Sequence, residues 1–357
     1  MGLKFLAQDQ ISKIVKVWLI IGIVMVFMQV VIGGVTRITG SGLSITKWDI
    51  VTGTLPPLNS AQWDTEFDLY KETPQYEKIN QGMAMSEFKF IYFWEYFHRL
   101  WARTMGFVFL IPFLFFLFTK KLSKVLTRDL LLVILLTIFV ASLGWIMVKS
   151  GLNDRPWVDA YKLTFHLSLA LIMFSYLLWT TYKVFSPKRS VINNSVLITG
   201  SRAFLFVLAI QIFLGGIMSG MKAGLFFPTW PDMNGVYLPD TLLTAANWNV
   251  DNFIFYDTNS FMPAFIQFAH RSTAYLLIII GLTMVFKLRK NKIPTFHLRN
   301  IYMLITMLVI QATLGILTVI NCKGSIPVGY GVLHQAGALI LLGIALLLVY
   351  KSPKKSY

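Results

Sequence analysis

Residues 261–286 read FMPAFIQFAHRSTAYLLIIIGLTMVF, and the reading of this stretch decides the fold. A helix of that length reaches about 39 Å at 1.5 Å per residue, enough to cross a hydrocarbon core of about 30 Å. The stretch holds one basic pair, His270-Arg271, and no acid. Its apolar residues do not alternate with polar ones at every second position, which excludes a strand of a membrane β-barrel. Seven further runs have the same character: Val17–Thr36, Phe90–Phe118, Leu130–Val148, Leu163–Tyr182, Ala203–Met221, Ile301–Ile320 and Ile326–Tyr350. The chain is 56% hydrophobic and 13% charged, against about a quarter charged in soluble proteins. The expected fold class is therefore all-α integral membrane, with eight transmembrane helices. The start is neither a clear secretion signal nor an Arg- and Ser-rich transit peptide, so the first run is read as retained.

The net charge is +16, but its distribution argues against a nucleic-acid partner. Lys120, Lys121, Lys124 and Arg128 follow the second run; Lys183, Lys188, Arg189 and Arg202 follow the fourth; Lys287, Arg289, Lys290, Lys292 and Arg299 follow the sixth. Lys4, Lys13, Lys16, Lys351, Lys354 and Lys355 add to the same side, which carries only Asp9 and Asp129 as acids. The alternate loops hold Asp64, Glu66, Asp68, Glu72, Asp232, Asp240, Asp251 and Asp257, among others. Such asymmetry places both termini on the cytoplasmic side and makes the basic residues topology signals and anionic-lipid contacts. Cys322 is the single cysteine, so neither an intramolecular disulfide nor a Cys-rich metal site is available. It reads as an incidental thiol.

The chain repeats itself. Gln29-Val-Val-Ile-Gly33-Gly34 near the end of the first run is answered by Gln211-Ile-Phe-Leu-Gly215-Gly216 near the end of the fifth. Counting on from each glutamine, Leu43 and Leu225, Trp48 and Trp230, and Gly53 and Gly235 fall at equal distances. Phe93-Trp-Glu-Tyr-Phe-His98-Arg99 is answered by Phe265-Ile-Gln-Phe-Ala-His270-Arg271, Leu143-Gly144 by Leu314-Gly315, and His166 by His334. This order of matches points to duplication. With four helices per half, the halves run the same way, which makes the repeat parallel. The expected domains are two four-helix bundles, residues 1–190 and 191–357. The long loops Arg37–Lys89 and Lys222–Ser260 exceed ordinary connectors. In the first, Ser60 is placed to cap a short helix with Trp63, Phe67 and Tyr70 on one face; it is expected to lie on the outer membrane surface and roof the bundle.

Four of the five histidines, His98, His166, His270 and His334, lie in even-numbered runs, each about four to ten residues past the outer end. His297 falls in a basic inner loop and reads as solvated. Intramembrane polar residues are costly and mark function by default. Imidazole nitrogen is a good ligand for iron, copper or zinc, and one His pair per half suits bis-His haem in a four-helix bundle. Gly33, Gly34, Gly215 and Gly216 allow close backbone approach, either to a helix or to a flat macrocycle. Arg37, Arg99, Arg103 and Arg271 are candidates for haem propionates, with snorkelling as the competing reading. Glu95 stands one turn before His98, where the other half has Gln267 before His270. A buried carboxyl can move protons or stabilise developing charge; the alternative is an ion pair with Arg99. Because Arg271 has no carboxylate at the equivalent place, the chemistry is assigned to the first half.

These residues resemble the haem A synthase family. The resemblance rests on Gly33-Gly34-Val-Thr-Arg37-Ile-Thr-Gly40-Ser41-Gly42-Leu43-Ser44, Glu95-Tyr-Phe-His98-Arg99, His166, His270-Arg271 and His334, and it covers all eight runs. The long first outer loop looks more like the mitochondrial and proteobacterial branch, in a bacterial inner membrane rather than a mitochondrial one. Cysteine pairs that some bacterial members carry in outer loops are absent here. The resemblance implies oxidation of a ring methyl of haem O to the formyl of haem A, for terminal oxidase assembly. It implies His98 and His166 as ligands of the substrate haem, His270 and His334 as ligands of a haem b cofactor, and Glu95 as the catalytic carboxylate, with the haem sites toward the outer face. Partners in that setting are haem O, haem O synthase, an electron donor, the lipid bilayer and a second copy of the chain. Two other classes fit the residues: a bis-His di-haem b electron carrier acting on quinone, and a parallel-repeat transporter.

Overall fold

The computed structural model describes residues 11–47, 55–152, 156–186, 194–290 and 293–353. Trp48 and Gly53 of the repeat lie outside the described residues, as do Lys4, Asp9, Lys188, Arg189, Lys292, Lys354 and Lys355. In chain order the helices are α1 (Lys13–Ile38), α2 (Ser60–Lys71), α3 (Pro74–Lys78), α4 (Met85–Phe118), α5 (Lys124–Gly151), α6 (Ala160–Phe185), α7 (Ser195–Gly220), α8 (Asp240–Leu243), α9 (Val250–Ile254), α10 (Phe261–Leu288), α11 (Thr295–Ile320) and α12 (Val328–Lys351). Eight of them, α1, α4 to α7 and α10 to α12, are long and apolar enough to cross a membrane. The chain is an integral, multi-pass membrane protein. Among the described residues the only β pairing is an isolated bridge between Met233 and Val236.

The helices overrun the apolar runs because their ends are polar and capped. Ser123 accepts from Leu126 N (3.1 Å) and so starts α5 six residues before Leu130. Asn194 does the same for α7 through Leu197 N (3.0 Å), and Asp159 for α6 through Tyr161 and Lys162 N (3.0 Å each). Such caps satisfy amide groups that the first turn leaves open. The last helix departs the other way. It begins at Val328 rather than Ile326, because Pro327 takes the N-cap place. The short helix α2 forms as expected, but its cap is Asn59, whose side chain accepts from Gln62 N (2.9 Å), not Ser60.

The chain divides into two compact units, Met1–Phe174 and Ser175–Tyr357. In the first, α1 and α4 are tied by side chains that donate to main-chain carbonyls: Trp18 Nε1 to Val108 (3.1 Å), Trp101 Nε1 to Met25 (3.0 Å) and Thr36 Oγ1 to Trp94 (3.1 Å). At roughly 50 Å, the 34-residue α4 is longer than a membrane core. Its first turns meet α2 in an aromatic cluster in which Phe88, Tyr70, Phe67 and Tyr92 are buried. Phe88 stacks on Phe67 (4.8 Å) and Tyr70 (5.2 Å), while Trp63 meets Tyr92 edge-on (5.0 Å). The three aromatics expected on one face of α2 thus all turn toward α4. Burial pushes the Tyr70 hydroxyl up to about 12. That hydroxyl donates to Gln75 Oε1 (3.1 Å), and Gln75 Nε2 donates to Gly40 O (2.9 Å). The α2–α3 layer therefore holds the turn that follows α1, where Gly40 takes a positive φ of 69°.

In the second unit α7 packs on α10, and α11 on α12. Two tyrosines tie this unit together. Tyr182 donates to Gly343 O (2.9 Å) and Tyr350 to Ser186 O (2.7 Å). His297 corrects the sequence reading. It lies in the first turn of α11, 6% exposed, with Nε2 bonded to Lys351 O (3.1 Å) at the end of α12. It is a buried tie to a helix C-terminus, not a solvated loop residue.

Candidate functional site

Each of the four predicted histidines sits against a glycine of a neighbouring helix. A Cβ at Gly33 would stand 3.0 Å from His98 Cε1; at Gly144, 2.9 Å from His166 Cε1; at Gly215, 3.1 Å from His270 Cε1; at Gly315, 3.0 Å from His334 Cε1. A Cβ at Gly144 would force the His166 ring to move, and at the other three it would press the imidazole by a few tenths of an ångström, so glycine lets each ring lie where it does. The close approach expected of Gly33 and Gly215 is therefore to an imidazole. Gly144 and Gly315, noted in the sequence only as repeat markers, do the same work.

One helical turn before each glycine, another group reaches the same ring. Gln29 Nε2 lies 3.2 Å from His98 Nε2 and 3.3 Å from its Nδ1. Gln211 Nε2 lies 3.1 Å from His270 Nε2. With its amide nitrogen turned toward the histidine, Gln311 reaches His334 O (2.9 Å) and Nδ1 (3.3 Å), while its oxygen accepts from Ala338 N (3.3 Å). The fourth place is Val140, whose main-chain carbonyl lies 3.0 Å from His166 Nδ1. A carbonyl can only accept, so His166 carries its proton on Nδ1 and presents the Nε2 lone pair. The pattern is Gln-x-x-x-Gly at 29–33, 211–215 and 311–315, and Val-x-x-x-Gly at 140–144. The i,i+4 spacing on helices rich in such residues was the signal that could have revealed it.

In the second unit the ring centres of His270 and His334 are 6.4 Å apart, with ring planes at 76°. Two metal–imidazole bonds of about 2.0–2.1 Å, with about 1.1 Å from nitrogen to ring centre on each side, give about 6.3 Å. The spacing suits one metal ion between the two imidazoles. In the first unit His98 lies within electrostatic range of His166. Among the described residues no three His, Cys, Asp or Glu side chains gather into a cage for a bare ion. A pair of histidines without further protein ligands is the donor set that an iron in a macrocycle takes.

Glu95 is 3% exposed and surrounded by donors. Its Oε2 accepts from Ser44 N (2.7 Å), Ser44 Oγ (2.8 Å) and Ile45 N (2.9 Å), and its Oε1 accepts from Arg99 Nη2 (2.5 Å). Arg99 also donates to Ile45 O (3.3 Å). The ion pair with Arg99 held as the alternative reading is thus present, and it is one part of a larger clamp on the 44–45 turn. At the repeat-equivalent place the polarity is reversed. Gln267, fully buried, donates to Phe227 O (2.8 Å). Arg271 is not partnerless: it donates to Asp232 O (2.7 Å), Pro231 O (3.3 Å), Thr229 O (2.6 Å) and Phe227 O (3.4 Å). One loop offers N–H groups and takes a carboxylate; the other offers carbonyls and takes an amide and a guanidinium. The Glu95/Gln267 asymmetry therefore has a local structural cause. The same 227–232 loop is closed by Asp232, whose carboxyl accepts from Gly235 N (3.0 Å) and Thr229 Oγ1 (2.7 Å); these bonds hold it below the usual carboxylate range.

Of the propionate candidates, Arg99 and Arg271 are engaged by these loops. Arg103 lies within electrostatic range of Arg99 and Tyr96 on α4. Arg37 ends α1. Arg271→Ala should loosen the 227–232 loop. Hydrogen bonds to charged groups contribute about 1.5–3 kcal/mol each, so the variant should lose several degrees of thermal stability in detergent, whereas Arg289→Ala, at an exposed helix end, should be near neutral. Thermal unfolding followed by tryptophan fluorescence checks this. Cys322 is buried just past α11, its thiol donating to Thr318 O (3.2 Å).

Comparison with known proteins gives concordant matches. The family model COX15-CtaA, described as cytochrome oxidase assembly protein, matches residues 16–346. A protein of Flavobacterium johnsoniae named heme A synthase is 38% identical over 334 residues, 93% of this chain and 95% of that one. Proteins of the same name from Nitrosospira multiformis and Parvibaculum lavamentivorans are each 39% identical, covering 94% of this chain and 92% and 94% of theirs.

Proposed function

Because the chain belongs to the COX15-CtaA family of cytochrome oxidase assembly proteins, we propose that it is a haem A synthase, an oxidoreductase that converts a ring methyl of haem O to the formyl group of haem A. The observation that carries the proposal is the set of four histidines, each seated on a glycine, in a chain alike over nearly its whole length to proteins of that name. Counted against water as the oxygen source, methyl to formyl adds one oxygen and releases four protons and four electrons. The site must therefore hold a haem rigidly, pass protons and hand electrons on.

In this reading residues 1–190 hold the substrate and residues 191–357 a resident haem b. His98 and His166 ligate the iron of haem O; His270 and His334 ligate haem b, which supplies a one-electron redox centre when bound. The His270–His334 spacing, the glycine seats, and the buried atoms His270 Nδ1 and Gln211 Oε1, which have no hydrogen-bond partner among the described residues, support a group at that place. Arg37, Arg99, Arg103 and Arg271 are the candidate partners of the haem propionates. Glu95 is the catalytic carboxylate. Lying one turn from His98, it puts negative charge beside the substrate and can accept protons when a donor swings away. In this reading the haem sites lie toward the outer face and both termini in the cytoplasm; the Lys and Arg bias of the alternate loops supports it. Haem O synthase, an electron-transfer partner and a second copy of the chain are the partners proposed with it: with water as oxygen source the electrons leave to an acceptor, whereas with dioxygen an electron donor supplies two electrons for each hydroxylation and one oxygen atom leaves as water. The likeness over nearly the whole chain to proteins named heme A synthase favours oxidation of haem over simple electron carriage.

The test is expression with a supply of haem O, then pigment extraction. The wild-type chain should yield haem A and haem O beside haem B. His98→Ala and His166→Ala should keep haem B and yield no haem A. Loss of haem B in these two variants, with retention in His270→Ala and His334→Ala, would reverse the assignment of the halves. A preparation holding haem B alone would favour the electron carrier.

A further inference from the structure

The glutamines one turn before the glycine seats each face a histidine of a neighbouring helix. Gln211 directs its amide nitrogen at His270 Nε2 (3.1 Å). At the same time two neighbouring buried atoms, Gln211 Oε1 and His270 Nδ1, have no hydrogen-bond partner among the described residues. Leaving such buried atoms unpaired is costly. A half-turn of the amide exchanges its two ends and brings Oε1 beside Nε2, where it can accept from an Nε2–H. The unpartnered Nδ1 then keeps its lone pair for iron. The repeat shows that such an amide can serve either ring nitrogen: Gln29 lies within 3.3 Å of both nitrogens of His98, and its own Oε1 is likewise unpartnered. Gln311 lies on the Nδ1 side of His334 (3.3 Å), where with its amide turned the other way the oxygen can accept from an Nδ1–H and leave Nε2 for iron.

We propose that Gln211 and Gln311 are positioning residues that fix which ring nitrogen His270 and His334 present to iron and set how electron-rich that nitrogen is. Groups that accept from the outer N–H of a metal-bound histidine orient the ring and raise its basicity. A neutral amide does so moderately; a carboxylate does so more strongly. Val140 in the equivalent place on α5 leaves His166 with a main-chain acceptor instead (3.0 Å), so that ligand has no side chain to tune it. The inference rests on the reading of His270 and His334 as haem b ligands.

The experiment uses the purified full chain carrying haem b, as wild type, Gln211→Glu, Gln211→Leu and Gln311→Leu. Haem b content, an equilibrium redox titration and the ferric electron paramagnetic resonance spectrum are measured. Gln211→Glu should favour the ferric form about tenfold, a downward shift of about 59 mV for a one-electron couple. The two leucine variants should shift upward, each with altered ferric g-values. Unchanged potentials in Gln211→Glu and both leucine variants overturn the proposal. So does a shift of the same sign in Gln211→Glu and Gln211→Leu, which packing alone would produce. Should a leucine variant lose haem b, the sign in Gln211→Glu decides. His270→Ala tests the underlying reading separately: haem b retained there sinks the ligand assignment, whereas haem b lost there with wild-type potentials in the glutamine variants sinks only this inference.

Discussion

Membranes containing His270→Ala or His334→Ala protein should show no b-type absorbance attributable to this chain, while the protein still inserts and accumulates. In the proposed assignment each substitution removes one of the two histidines that would hold the haem b iron, a pair whose ring centres lie 6.4 Å apart. No other His, Cys, Asp or Glu cluster among the described residues could take over. The loss should be nearly complete rather than graded, because a single remaining imidazole leaves the other face of the iron open to water. The helices should survive. Ala is a strong helix former, α12 is tied well away from its ring by Tyr350, which donates to Ser186 O (2.7 Å), and α10 packs on α7. Reduced-minus-oxidised spectra normalised to immunodetected protein read the outcome. Full b-type absorbance with an unchanged midpoint potential in both variants contradicts the assignment.

Glu95→Gln should lower haem A output per mole of haem b by about 10²–10⁴-fold, the range for loss of a proton-transferring side chain, with haem O or a partly oxidised product accumulating. The structure changes what this substitution does. At position 95 an amide oxygen can still accept from Ser44 N and Ile45 N, but the amide nitrogen then meets the donors of Arg99. Gln267 is no model for this, since it faces the carbonyl of Phe227. Some loss of stability is therefore expected alongside the chemical effect. Ser44→Ala separates the two, because it removes one donor to the clamp and leaves the charge. If Glu95 only secures the turn, both variants should lower yield and thermal stability while haem A per mole of haem b stays near wild type. If Glu95 is chemical, only Glu95→Gln should fall steeply on that scale.

The eight spans were legible because burial in lipid imposes long apolar runs, and 261–286 alone announces one. Their ends were not. Ser123 and Asn194 extend α5 and α7 through side-chain caps that hydropathy does not register. The four histidines stood out by type and depth. The residues that seat them did not, since the role of Gly144 or Gln311 depends on which helix faces it, and that lies outside any single run. The opposite polarity of the 44–45 and 227–232 loops was also hidden, because it resides in main-chain groups that every residue carries. His297 was misread for a related reason. A basic neighbourhood in sequence implied solvent, but the end of α12 brings a carbonyl over it.

The central claim is that this chain turns haem O into haem A. Membranes from cells expressing the chain, supplied with haem O under air with and without an added reductant, test it most directly, with extracted pigments followed over time. Haem O should fall and haem A rise while haem B stays constant, and Glu95→Gln membranes should hold haem O unchanged. Persistent haem O, with no haem A at any time in wild-type membranes that carry a full complement of haem B, would contradict it.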